Sequence, residues 1–339
     1  MPQTLRPVVD VDSIVALVGN TPLIEINYRF DGRPRRIFAK YEIMNMTGSV
    51  KDRMALHILR RARETGELKP GDIIAEASSG NTGISFAAIG RALGHRVRIY
   101  MPDWMSQERV LLMHSLGAEV MPVSKAQGGF MGSIELADQY ASENGNVFLP
   151  HQFSCEANVE AHALTTGPEI VDQLARMGRT IDAFVAGVGT GGTVMGVARH
   201  LRETGSKAKV HPLEPANSPT MRTGCRVGQH RIQGISDEFV PAIVKLDELD
   251  EVVDVWDGDA ILMAQTLCHS LGLMVGISSG ANVVGAMELV EKLGPDATVV
   301  TVLADSNKKY LSTALYHAEP PREDYLTPRV RLTHFTGVR

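Results

Sequence analysis

The sequence predicts an α/β protein of two lobes, each a mostly parallel twisted sheet flanked by helices. Two observations carry the fold class: apolar runs bounded by Gly or Pro alternate with helix-period stretches over most of the chain, and each run is short enough for a buried strand. A third sets the lobe number, because 339 residues exceed the size at which one hydrophobic core keeps growing. The expected division is a small movable lobe at 49–153, a larger lobe from 1–48 and 154–320, and a C-terminal tail at 321–339.

Arg36–Lys40 reads as the first strand. A helix follows over Ser49–Thr65, opened by a serine that can cap free amides. Asp72–Glu76, Arg96–Tyr100 and Ala118–Pro122 are the next strands, separated by helices at Thr82–Leu93 and Ser106–Leu116. Gly128–Gly132 lacks periodicity and reads as part of a strand-to-helix connection. Beyond it come a helix over Asn158–Ala175, a strand at Ala183–Ala186, a helix at Thr193–Thr204 and a strand at Lys209–Glu214. Asn217–Pro241 is a long loop rich in Gly, Pro and polar residues, of the kind that tends to be functional. Helices at Asp257–Leu271 and Ser279–Leu293 and a strand at Thr298–Leu303 complete the pattern.

With 34 basic and 39 acidic residues the net charge is −5, which argues against a nucleic-acid partner. Three dispersed cysteines, Cys155, Cys225 and Cys268, form neither a disulfide framework nor a zinc-type pair. The first residues show no basic-then-apolar signal pattern, and no apolar run is long enough to cross a membrane. A soluble, cytoplasmic protein is expected.

Three loops carry the chemistry. In Ala186-Gly187-Val188-Gly189-Thr190-Gly191-Gly192-Thr193, glycines 187, 189 and 192 satisfy G-x-G-x-x-G between a strand and a helix, and Glu214 ends the next strand where a ribose-binding acid belongs. The same loop equally forms a phosphate cup, with backbone amides, a helix N-terminus and the hydroxyls of Thr190 and Thr193 as donors. A plain turn is the bland reading. Lys51, in Asn45-Met46-Thr47-Gly48-Ser49-Val50-Lys51-Asp52-Arg53, is the second element; as an exposed lysine it would sit poorly at a helix N-terminus. Ser78-Ser79-Gly80-Asn81-Thr82-Gly83 is the third, either a capping turn or a cradle for a substrate carboxylate. A dehydrogenase using NAD, the alternative from a different class, has no use for that lysine and second cradle. A lysine that attacks an aldehyde needs both, and apolar surroundings favour its neutral amine. The combination points to pyridoxal 5'-phosphate held as a Schiff base.

These motifs, with Gly276-Ile277-Ser278-Ser279-Gly280, resemble the cysteine synthase (O-acetylserine sulfhydrylase) and cystathionine β-synthase family, fold-type-II pyridoxal-phosphate enzymes. The likeness runs from Gly19-Asn20-Thr21-Pro22 to Lys309-Tyr310-Leu311-Ser312-Thr313. It implies that Lys51 holds the cofactor and moves the α-proton, and that Asn81 bonds the cofactor's phenolic oxygen. Gly189, Thr190, Gly191, Gly192 and Thr193 should hold the phosphate, and Ser278 should face the pyridine nitrogen. Ser78, Ser79, Asn81, Thr82 and Gln152 should bind the substrate. The implied reaction is β-replacement on an L-serine derivative through an aminoacrylate, foremost O-acetyl-L-serine and sulfide giving L-cysteine and acetate. Cysteine desulfhydration to serine and thiol addition to give cystathionine are the alternatives. Partners are small amino acids with sulfide, water or a thiol, and no metal is implied; a homodimer is expected.

The chain departs from the pattern at Gln233-Gly234-Ile235-Ser236-Asp237-Glu238-Phe239, where the resembled enzymes carry small residues. Asp237 and Glu238 either stay solvated at the rim or face the substrate. In the second case Asp237 activates water as a general base and disfavours anionic sulfide. Cys155 stands at a similar departure and reads as a buried thiol rather than a redox or substrate group.

Overall fold

A computed structural model of the chain describes residues 9–236 and 238–339. Its strands are β1 (Leu23–Phe30), β2 (Arg33–Tyr41), β3 (Ile73–Ala77), β4 (Arg96–Pro102), β5 (Glu119–Val123), β6 (Val147–Phe148), β7 (Ala183–Gly187), β8 (Lys209–Pro215), β9 (Val253–Val255), β10 (Val299–Leu303) and β11 (Val330–Val338). They form a seven-stranded sheet in the order β11-β1-β2-β10-β7-β8-β9 and a four-stranded sheet in the order β5-β4-β3-β6. The smaller sheet is parallel throughout, and the larger is parallel from β2 to β9. Every residue of β3 and β10 is buried, as strands covered by helices on both faces require. The α/β expectation is borne out.

Four strands lie outside the sequence reading. The first, Leu23–Phe30, forms an antiparallel hairpin with Arg33–Tyr41, which is the strand expected at Arg36–Lys40, and Phe30 pairs with Arg33. The turn between them, Asp31-Gly32, has φ of 46° and 78°, the left-handed pair that suits the twist of a two-residue hairpin. Residues 330–338, expected as tail, are the edge strand β11 paired antiparallel to β1. Only Leu332 of that strand is buried, so it carries no alternating apolar signal. β6 and β9 have two and three residues, too few for a period.

Residues 128–132 are likewise corrected: they open a helix, Gly129–Glu143. A Cβ on Gly132 would lie 1.8 Å from the Gln127 carbonyl oxygen, so glycine is needed where the sequence shows a break. The helix expected over Asn158–Ala175 is interrupted. It runs as Glu156–Ala161, a π-turn at His162–Thr166 and Gly167–Arg176.

The helix Lys51–Thr65 begins at the junction of the two sheets, and a buried ionic cluster anchors it. Arg53, 3% exposed, donates from Nε to Glu42 Oε2 at 2.6 Å and from a terminal nitrogen to Glu169 Oε1 at 2.7 Å. Lys40, fully buried, lies 2.6 Å from Glu169. Burial alone would raise the Glu42 carboxyl, but the Arg53 guanidinium overrides it and holds it at about 2.

Removing Arg53 leaves two carboxylates without their main cation. Arg53→Met is expected to cost about 3–5 kcal/mol at neutral pH, read from urea unfolding. Folding depresses the Glu42 carboxyl, so its contribution is present above about pH 4.5 and fades as pH falls towards 2. That acid limb should flatten in Glu42→Gln.

Candidate active site

The strands β3, β7 and β10 all end towards one cleft, where the helices starting at Lys51, Asn81, Gly192 and Ile277 also begin. Four helix N-termini around one space give a field suited to an anion. The cleft has an empty volume of about 820 Å³ including its open mouth. Its walls bring together Lys51, Ser78, Ser79, Asn81, Thr82, Gln152, Gly189, Thr190, Thr193 and Ser278. Gly191 and Gly192 complete the loop behind Thr190, and Asp237 lies outside the described residues.

The Gly189–Thr193 loop is built by close approach. A Cβ on Gly189 would lie 2.3 Å from the Gly234 carbonyl oxygen, and one on Gly192 would lie 1.9 Å from Asn158 Oδ1. Gly191 has φ +90°. Asn158 Nδ2 donates to Thr190 Oγ1 at 2.9 Å, and His162 Nε2 lies 3.3 Å from Thr193 Oγ1. Burial, with the Arg53 charge adding to it, pushes His162 down to about 3, so its ring is neutral and offers one donor and one acceptor. His162 therefore supports the loop as well as packing within its own segment. Gly187 N donates to Asn282 Oδ1 at 2.8 Å, bracing the strand end. Two hydroxyls and a glycine-rich turn at a helix N-terminus fit a phosphate monoester.

Glu214 does not fit a ribose. It is fully buried and accepts from the Met221 amide at 2.6 Å, away from the cleft. The dinucleotide reading loses its second element.

Ser78 is 2% exposed, and its hydroxyl oxygen accepts from the amides of Gly80 and Gly83 at 3.1 and 2.9 Å. It shapes the loop. Thr82 donates to Gln152 Oε1 at 2.7 Å, and Gln152 Nε2 donates to the Ala77 carbonyl at 2.7 Å, so these two form the fixed wall of the cradle. Arg109, which also lines the cleft, braces the loop with a 3.3 Å bond to the Ser79 carbonyl; no sequence spacing marks that arginine. Beneath the wall, burial pushes Glu76 up to about 8, which makes it a neutral acid at pH 7.

Asn81 stands at the head of its helix. Its Nδ2 donates to Asp305 Oδ2 at 2.7 Å, and its Oδ1 accepts from Lys309 Nζ at 2.7 Å. Phe130, Phe153 and Phe239 make successive edge-to-face contacts at 5.6 and 5.1 Å between centroids, giving the mouth an apolar flank. Cys155 is half-buried, and burial raises its thiol, which leaves it unreactive. Among the described residues, no group of His, Cys, Asp and Glu could hold a metal ion. No helix among them is long and apolar enough to cross a membrane.

A family model described as pyridoxal-phosphate dependent enzyme matches residues 14–305. A cysteine synthase of Staphylococcus aureus is 39% identical over 306 residues, 90% of this chain and 97% of that protein. The crystal structure of a hydrogen sulfide-producing enzyme from Fusobacterium nucleatum is 53% identical, with a TM-score of 0.95 over 97% of this chain and 98% of that one. An aspartate-to-asparagine variant of that enzyme, complexed with an α-aminoacrylate intermediate, is 54% identical with a TM-score of 0.93, covering 95% of this chain and 97% of that one.

The glycine packing behind the phosphate-type loop is directly testable. Gly192→Ala is expected to destabilise the protein by about 1–3 kcal/mol through overpacking against Asn158. Gly145→Ala, with open space around it, should stay within about 0.5 kcal/mol of the parent. Urea midpoints of the two variants measure both.

Proposed function

Because the chain belongs to the family of pyridoxal-phosphate-dependent enzymes, among its cysteine synthase-like members, we propose that it cleaves L-cysteine with water to give L-serine and sulfide. The observation that carries this choice within the family is the mouth of the cleft. Gln233 Oε1 and Ser236 Oγ are buried there with no protein partner among the described residues. Both line the mouth together with Trp104, Arg226, His230 and Glu238. Buried polar atoms call for hydrogen-bonded neighbours, which water can supply, and the carboxylate of Asp237, next in the chain to Ser236, would disfavour the hydrosulfide anion. The likeness to the Fusobacterium enzyme supports the same reading.

Pyridoxal phosphate, when bound, supplies a carbonyl carbon for an amine and a conjugated ring that withdraws electrons from the α-carbon. The Gly189–Thr193 loop would hold its phosphate, Ser278 would face the ring nitrogen and Asn81 would donate to the phenolic oxygen. A serine there, unlike a carboxylate, does not enforce a protonated ring, so departure of a β-substituent is favoured over a long-lived carbanion. Lys51 heads its helix, where the dipole disfavours an ammonium, and its amine takes the α-proton. Ser79, Thr82 and the first-turn amides of the helix at Asn81 receive the substrate carboxylate, with Gln152 fixing Thr82. Sulfide leaves the β-carbon as hydrosulfide, keeping the thiol's own proton; Asp237 then takes a proton from the incoming water as the new C–O bond forms and releases it to the departing hydrosulfide or solvent, and Lys51 returns the α-proton to give serine. Closing the lobe at 49–153 over the carboxylate excludes bulk water during these steps.

A second reading, O-acetyl-L-serine and sulfide giving L-cysteine and acetate, is favoured by the likeness to the Staphylococcus cysteine synthase.

L-Cysteine alone should yield equal amounts of sulfide and serine, measured by sulfide trapping and mass spectrometry. Asp237→Asn should slow serine formation at least about a hundredfold, and Lys51→Ala should abolish turnover. Faster cysteine formation from O-acetylserine than sulfide release from cysteine, with Asp237→Asn unimpaired, would favour synthesis instead.

A further inference from the structure

Beside the cleft lies a second buried lysine that the mechanism above does not use. Lys309 is 3% exposed and follows β10. Its Nζ donates to Asn81 Oδ1 at 2.7 Å and to the Gly48 carbonyl at 3.3 Å, and its own carbonyl accepts from Ser106 Oγ at 2.9 Å. Asn81 is gripped from its other end as well. Asn81 Nδ2 donates to Asp305 Oδ2 at 2.7 Å, and Tyr310 OH donates to the same oxygen at 2.5 Å. Both Asp305 and Tyr310 are buried. Gly276 makes room for this grip, since a Cβ there would lie 2.2 Å from Asp305 Oδ1.

Lysine and aspartate therefore set the orientation of one amide. The lysine donates to the carbonyl end and one N–H of the nitrogen end goes to Asp305, so the second N–H of that nitrogen is the donor left for a ligand. A cation on an amide oxygen also draws electrons from its nitrogen, which strengthens the remaining N–H as a donor. The charged groups around the ammonium are Asp305, Asp52 and Arg109. Burial lowers the Lys309 amine from its ordinary range and Arg109 adds to that, while the Asp305 and Asp52 carboxylates favour its charged form.

We propose that Lys309 is a positioning residue for the cofactor: it fixes Asn81 with its amide nitrogen towards the phenolic oxygen and strengthens that donor. This rests on the pyridoxal-phosphate reading of the cleft and goes beyond it. Lys309 would act on the cofactor only through Asn81, and its ammonium joins the Gly48 and Asn81 segments to the one that follows β10.

The test compares Lys309→Met, which keeps the length and removes the donor, with Lys309→Arg, which keeps a donor and its charge. In Lys309→Met the dissociation constant for pyridoxal phosphate should rise about tenfold, the equivalent of one lost hydrogen bond to a charged group. The bound cofactor's visible band should lose intensity to its near-ultraviolet band as the phenolic oxygen takes up a proton. Lys309→Arg should restore both. A Lys309→Met protein that binds the cofactor with the parent's affinity and spectrum overturns the proposal, as does one whose melting temperature falls while the spectrum is unchanged. Failure of the parent protein itself to bind pyridoxal phosphate would instead refute the reading of the cleft.

Discussion

The placement of Lys51 depends on Arg53. A residue two positions into a helix, carrying a charge that water cannot reach, has to find its carboxylates or the helix cannot start there. Glu42 comes from the segment after β2 and Glu169 from the helix beyond the π-turn, so one guanidinium ties three parts of the chain together at the first turn. Such a pair adds little net stability relative to an apolar core of the same volume, but breaking it is severe. Its use here is geometric. It fixes the rotation and depth of the helix on which the reactive amine is the first residue.

A second constraint is closeness between helices. Gly192 and Gly196 are four apart on one helix, and Asn158 and His162 are four apart on the segment packed against it. Any larger residue at either glycine would collide with those side chains or with the Val159 carbonyl. Small residues on one face and polar residues on the other let Asn158 and His162 reach the hydroxyls of Thr190 and Thr193. The phosphate-type loop is thus supported from behind by side chains that never need to touch a ligand.

The interleaved strands and helices from Asp72 onward were legible because a two-sided parallel sheet writes itself as apolar runs between helical periods. The three loops were legible too, since glycine and hydroxyl residues at helix starts have few other uses. What stayed hidden has physical reasons. The strand at 330–338 pairs through its backbone while facing solvent, so nothing in its side chains announces it. The Asp31-Gly32 turn, preceded by the alternation of Ile24, Ile26, Tyr28 and Phe30 with polar residues, did carry a hairpin signal. Arg109, Lys309 and Asp305 act through contacts separated by tens to hundreds of positions, and no local spacing encodes them. Asn282 lies four residues after Ser278 on the same helical face, a relation visible in the sequence once that helix is drawn.

The π-turn at His162–Thr166 constrains how this segment can change in length. Each residue added to or removed from a helix rotates everything beyond it by about 100°, and the wide turn accommodates a count that a regular helix would not. Asn158 and His162 precede or open the turn and support the phosphate-type loop, whereas Glu169 follows it and meets Arg53. Losing one residue from within the turn would let regular winding resume with both sets of contacts still facing their targets, whereas a change of length elsewhere between them would swing one set away. A single deletion should therefore be accepted inside the turn and refused on either side of it.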